Sequence, residues 1–229
     1  MKPFEYTYIE NDVYHVIQAK ISQNSKIGIG YIVQTYHFSI DQVKNLDLKQ
    51  DEKNCLDCPL SYSNGGGCYT HKGMQLMGLK SMLKRLNKNE FKPFNNDMLK
   101  AFIVNVSNTY PVDLVRFGAY GEAVLMGSPV INQLAKLGKT TGYTHQYNKS
   151  GFNWSNKRFM ASVHNEEQAK QAKKLGFRSF IVKTKEIEIE NGVNCPASKE
   201  SEKNLSCIKC GLCSGMAKGS KKDIYINAH

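Results

Sequence analysis

From Asp113 onward the chain alternates strand-like and helix-like segments, and this alternation limits the possible folds more than any other feature. DLVRFGAYG (113–121), TTGYTHQY (140–147), RFMASV (158–163) and FRSFIVKT (177–184) are short apolar or alternating runs that read as strands. SPVINQLAKLG (128–138) reads as a helix, with Ser128 as N-cap, Pro129 in the first turn and Gly138 closing it. NEEQAKQAKKLG (165–176) is a second helix, capped by Asn165, with Glu166 and Glu167 suited to its N-terminal dipole. LKAFIVNVS (99–107) reads as a further strand. Such repetition predicts α/β architecture with a parallel sheet. About six to eight strands are expected, and the chain is short for a complete eight-fold barrel, so the expectation is a partial or trimmed β/α barrel-like sheet. Reactive residues in such sheets gather at the carboxyl ends of strands.

Two differently composed segments flank this body. Residues 1–45 are β-rich: YHVIQAKIS and IGIGYIVQTYHF are strand-like runs joined by a turn at NSK. Gly28 and Gly30 lie in the second run without the third glycine of a dinucleotide loop. The body, 46–190, opens with a cysteine loop and the helix GMQLMGLKSMLKRLNK, whose Met and Leu residues fall at core spacing. Residues 191–229 form a polar, cysteine-rich lobe that a metal can organise where an apolar core cannot, followed by a final strand, DIYINAH. LGKTTG (137–142) is not a phosphate loop, because position 133 is Gln and the helix precedes the motif.

Seven cysteines, an odd number, point to metal or redox chemistry in a chain with no apolar leader and no run of ~18 apolar residues. The expected setting is cytoplasmic, without membrane association. In the lobe, CIKCGLC supplies Cys207, Cys210 and Cys213, with Cys195 upstream. Four thiolates hold Zn²⁺ or a 4Fe-4S cluster, and the doubled two-residue gap favours the cluster. The earlier loop, NCLDCPLSYSNGGGCYTHKG, carries Cys55, Cys58, Cys68 and His71. With His71 as a ligand it is a closed zinc site; without it, three cysteines hold an iron–sulfur cluster with one open iron. Gly66 and Gly67 let the backbone come close to a cofactor. Three plus four uses every cysteine in either reading.

The strand ends supply the remaining candidates. Arg116, Gly121 and Glu122 in VRFGAYGE suit a clamp for a carboxylate, an amine or a nucleotide. Tyr143 and His145 in TGYTHQY follow, the histidine as acid or base. His164 and Lys183 are weaker candidates on the same logic. The net charge of +11 makes nucleic acid or a nucleotide a plausible partner. Its basic residues fall in three stretches: Lys80, Lys84, Arg85 and Lys88; Lys170, Lys173, Lys174 and Arg178; and Lys218, Lys221 and Lys222.

At VRFGAYGE, TGYTHQY, FMASV and CPAS…CIKCGLC…DIYINAH the chain resembles a family of uncharacterised phage and bacterial proteins, from about Asn54 to Ala228. Several members of that family read Gly-Asp-Pro where this chain has Gly121-Glu122-Ala123. The resemblance implies a phage or mobile-element setting, hence a host cytoplasm, but no established reaction. In layout the chain also resembles, more distantly, radical S-adenosylmethionine barrels. These carry three cysteines near the start of the barrel, usually spaced C-x3-C-x2-C where this chain has C-x2-C-x9-C. That likeness implies S-adenosylmethionine as a cofactor and a Gly-Glu pair, Gly121-Glu122, near its amino group.

Overall fold

The computed structural model describes residues 4–183, 192–198, 200–216 and 222–227. The expected boundary near residue 190 and the basic residues Lys218 and Lys221 lie outside these. The chain is mixed α/β, with two five-stranded sheets among the described residues. The first has the order β1 (Phe4–Glu10), β2 (Val13–Ser22), β3 (Gly30–Ser39), β4 (Leu114–Tyr120), β5 (Lys139–Thr141). β1 to β3 pair antiparallel, and β4 and β5 continue the sheet in parallel. The second sheet is parallel throughout: β6 (Tyr143–Thr144), β7 (Met160–Val163), β8 (Ser179–Lys183), β10 (Ile224–Asn227), β9 (Val193–Asn194). In place of the expected barrel-like sheet, the described pairings form two sheets that no strand pair closes into a barrel.

The chain steps from one sheet to the other at Gly142, between β5 and β6. A Cβ there would lie 2.8 Å from the Phe159 ring, so only glycine lets the strand pass. The short TTGYTHQY strand is therefore two strands in two sheets.

The inward face of the first sheet presents Tyr6, Tyr8, Ile17, Val33, Val115 and Phe117. Two helices cover it: α4 (Asn96–Thr109) and α5 (Gly127–Leu134). α4 overturns the strand expected over 99–107. Its buried residues, Leu99, Phe102 and Val106, repeat at helical spacing, and Asn95 caps it by accepting from the Asp97 and Met98 amides. α5 starts before the expected N-cap, and Ser128 instead accepts from Asn132 within the helix. On the opposite face, α1 (Ile40–Asn45) and α3 (Gly73–Asn87) cover Val16, Phe38 and Tyr120 with Val43, Leu79, Leu83 and Leu86. In the second sheet, α6 (Glu166–Lys174) sits on β7 and β8 through Ala172. The remaining helices, α2 (Glu52–Cys55) and α7 (Cys207–Cys210), are single turns that carry cysteines. No helix among the described residues is long and apolar enough to cross a membrane.

A chain of hydrogen bonds is buried in the first sheet. The Nδ1 atoms of His15 and His37 lie 2.8 Å apart, and His37 Nε2 lies 3.1 Å from Thr35 Oγ1, which accepts the Gly118 amide. Both rings are fully enclosed. Burial, partly offset by a bond to the Glu10 backbone, pushes His15 down to about 4. Burial and the neighbouring His15 hold His37 well below its usual range. Both are neutral in the fold, whereas the unfolded chain takes up protons below about pH 6.5. Stability is therefore complete above that pH and declines as pH falls toward 4. His15 alone accounts for a loss of about 3 kcal/mol. Urea unfolding at pH 7 and pH 4.5 checks this, and equal free energies at the two pH values would contradict it.

Candidate functional site

The first cysteine loop is built on a buried carboxylate. Asp51 accepts the amides of Tyr62 (2.8 Å) and Ser63 (3.0 Å), and its carbonyl accepts from Cys55 (2.8 Å). Successive turns run from Cys55 O to Cys58 N and from Cys58 O to Ser61 N, and Cys68 N then returns to Leu60 O. Gly65, Gly66 and Gly67 all have positive φ, which explains their identity as turn residues. Asn54 fixes the loop to the sheet. Its Nδ2 donates to His37 O (2.9 Å), its Oδ1 accepts from Ser39 N, and its carbonyl accepts the Glu122 amide (2.7 Å). Gly121 lies at this junction, where a Cβ would come within 2.8 Å of His37.

No cysteine is in a disulfide. Burial pushes the Cys55 thiol well above its ordinary range, and the charges of Asp51, Cys58, Glu122 and Cys68 add to the effect. Cys68 is raised by burial and by Cys58 and Asp51, against its hydrogen bonds to Thr70. The three thiols thus share one electrostatic environment, with two carboxylates close by. Such thiols are weak nucleophiles alone, and a bound cation is the charge that would turn them into thiolate ligands. In donor chemistry the set fits a metal or cluster. As the side chains lie, no group of three or more His, Cys, Asp or Glu among the described residues forms an ion-holding cluster.

The structure separates the two histidines of interest. His71 stacks on Tyr62, with centroids 3.9 Å apart and planes 9° apart, and both its ring nitrogens are buried without a partner. Cys58 is met by His145, whose Nε2 is 4.0 Å from the sulfur. Glu122 holds His145 from behind, 3.2 Å from Nδ1, and also accepts the His145 amide (2.9 Å) and the Thr144 hydroxyl (2.8 Å). A carboxylate on the far nitrogen is the usual means of orienting a ligating or proton-carrying imidazole. Burial opposes charge on His145, but Cys58 and Glu122 outweigh it and push the ring up to about 10. His164 stacks alongside with its Nε2 3.3 Å away, and burial and His145 lower its pKa.

The second group forms where the lobe docks. Cys195 N donates to Tyr225 O, Cys207 N to Lys26 O, and Cys213 O accepts from Gly142 N. Ser206 and Ile208 press on Gly28, where a Cβ would lie 2.6 Å from Ser206 Oγ; close approach explains that glycine. Arg178 is no solvated helix residue. It is 2% exposed and donates to the carbonyls of Leu212, Gly215 and Lys222, pinning the lobe to β8. Burial pushes Cys213 up to about 12, with Cys195, Cys207 and Cys210 adding to it and a hydrogen bond from Tyr143 easing it.

The four expected strand-end residues therefore divide. Glu122 and His145 stand at the three-cysteine group. Tyr143 stands at the four-cysteine group, and Arg116, bonded to Tyr69 Oη at 2.8 Å, is acted on by Cys207. Asp51, Asn54 and Arg178 carry the architecture and lie in no motif that sequence spacing would flag. No known family model, no curated protein and no solved structure matches the chain.

Two substitutions test the junction and the stack. Gly121→Ala should destabilise by about 2–4 kcal/mol in urea unfolding, because it combines positive-φ strain with a backbone clash. His71→Phe keeps the Tyr62 stack and removes two orphaned nitrogens, so it should unfold at higher urea, by about 1–2 kcal/mol. Lower stability together with lost metal would make His71 a ligand.

Proposed function

We propose that this chain is a metal-binding protein of phage type with two iron–sulfur centres, acting as a radical S-adenosylmethionine-like enzyme on a nucleotide or nucleic-acid substrate. Cys55, Cys58 and Cys68 hold the reactive 4Fe-4S cluster, and Cys195, Cys207, Cys210 and Cys213 the auxiliary one. The observation that carries this reading is that all seven cysteines are unpaired, with Cys58 and Cys68 acting on the buried Cys55, and Cys195, Cys207 and Cys210 on the buried Cys213. The family resemblance and the layout of an early cysteine loop on an α/β body support it. A cluster with three protein ligands supplies one-electron chemistry at its open iron. Glu122 orients the His145 ring, and His145 holds a proton at Nε2 facing Cys58 and His164, while the lowered pKa of His164 keeps that proton on His145. Gly66 and Gly67 lie in the loop that leads to Cys68, and Gly121 packs on Asn54 beside Cys55.

A second reading is a zinc-stapled protein that binds nucleic acid without turnover. It draws on the 4.0 Å approach of His145 to Cys58, which offers a fourth zinc ligand, and on the net charge of +11.

Anaerobic purification followed by iron, sulfide and zinc analysis separates the two. The expected content is about eight irons and eight sulfides per chain, falling to about half in Cys68→Ala. Two zinc ions and no iron would overturn the redox reading. With iron present, cleavage of S-adenosylmethionine by the reduced protein then tests the reaction class.

A further inference from the structure

On the outward face of the first sheet, the strand register sets one polar row across five strands. Glu5 pairs with Gln18, Gln18 with Gln34, Gln34 with Arg116, and Arg116 with Thr141. Lys20 lies two residues from Gln18 on the same face of β2, and Tyr36 two residues from Gln34 on β3. Apolar clusters border this row on either side: Ile27, Ile32 and Leu114 with Cys207 and Ile208 at one end, and the cluster under α3 at the other. The row thus runs past both cysteine-bearing segments: Tyr69, directly after Cys68, accepts from Arg116, and Tyr143 and Cys207 act on the same guanidinium.

The groups in this row are donors. Arg116 Nη2 donates to Tyr69 Oη at 2.8 Å, and Lys20 Nζ donates to Tyr36 Oη at 3.5 Å. Gln34 Nε2 also donates to Tyr36 Oη. Each phenolic oxygen is thereby used as an acceptor, which leaves its hydroxyl hydrogen to be given elsewhere. Neither Lys20 nor Arg116 makes an ion pair among the described residues. The nearest carboxylate in the row, Glu5, is taken by Arg85, with Thr7 and Gln18 also donating to it. Burial and the Arg116 charge both lower the Lys20 pKa, so the two cations feel one another. Two half-buried cations with no ion pair, and two phenols whose oxygens already accept from them, are a set of converging donors, and an oxyanion accepts from all four.

We propose that Lys20, Arg116, Tyr36 and Tyr69 form a binding site for the phosphate or carboxylate group of a small molecule, beside the segments that carry Cys68 and Cys207. The site specifies the charged end of the substrate of the activity proposed above, but its own chemistry requires no metal.

The test is calorimetric titration of the full chain with two kinds of probe: pyrophosphate and adenosine 5′-monophosphate for the phosphate arm, succinate for the carboxylate arm. At least one arm should bind saturably, and Arg116→Gln and Lys20→Met should each weaken it by about tenfold or more. Lys84→Gln, an exposed lysine on α3, controls for the overall positive charge and should leave binding unchanged. A parent that binds neither arm, or variants that bind as the parent does, would each overturn the site. Metal content is measured on the same preparations. Anion binding by a metal-free chain would sink the two-centre reading and leave this site standing, and a metal-loaded chain that binds neither arm would sink this site alone.

Discussion

Asn54 is the interaction on which the rest of the arrangement depends. Its side chain bonds His37 O and Ser39 N at the end of β3, and its carbonyl holds the Glu122 amide just after β4. One buried amide therefore fixes three things at once: the position of Cys55, the ends of two parallel-paired strands, and the placement of Glu122. Glu122 in turn orients His145 toward Cys58. The contact tolerates no side chain at Gly121, whose Cβ would meet both His37 and Asn54. A substitution here moves the loop, the carboxylate and the imidazole together, so their effects cannot be expected to add independently.

Burial explains why the cysteine groups are chemically unusual. Cys55 and Cys213 are both largely enclosed, and each has other potential thiolates as its electrostatic neighbours. In a disulfide protein such thiols would be paired off. Here, all seven remain free, and the backbone around them is unusually well anchored, by Asp51 and Asn54 in one loop and by Arg178 in the other. Burial favours the neutral form of these thiols and disfavours the thiolate, so their raised pKa follows from the same enclosure that anchors the loops.

The elements were legible in the sequence wherever periodicity was long enough to have only one reading. β2, β3, α3, β7, α6 and β8 lie where alternation or capping residues put them. α4 was not, because LKAFIVNVS is rich in β-branched residues and its helical period shows only once Asn95 is taken as a cap. Cysteine spacing made both groups visible. It did not reveal that His145, from a strand some ninety residues away, meets Cys58, since such a pairing is a property of the sheet order. Asp51, Asn54 and Arg178 are single polar residues with no repeat, and only their burial identifies them.

The first sheet shows how one alternating pattern serves two ends. Its inward residues, from Tyr6 through Ile17 and Val33 to Val115, make a core that α4 and α5 seal. The residues one position along each strand, Glu5, Gln18, Gln34 and Arg116, fall in register on the other face. Were that face simply solvent-exposed, a polar row would need no explanation. It is instead bounded by two apolar clusters and crossed by Tyr69, and Gln34 within it is buried. Polar groups confined in this way must satisfy one another or await a partner. Glu5 and Gln18 do the former at one end, through Arg85. At the other end donors outnumber acceptors, and the imbalance lies beside Tyr69 and Cys207. The register of the sheet thus brings two cations that make no ion pair among the described residues next to the segments that carry Cys68 and Cys207.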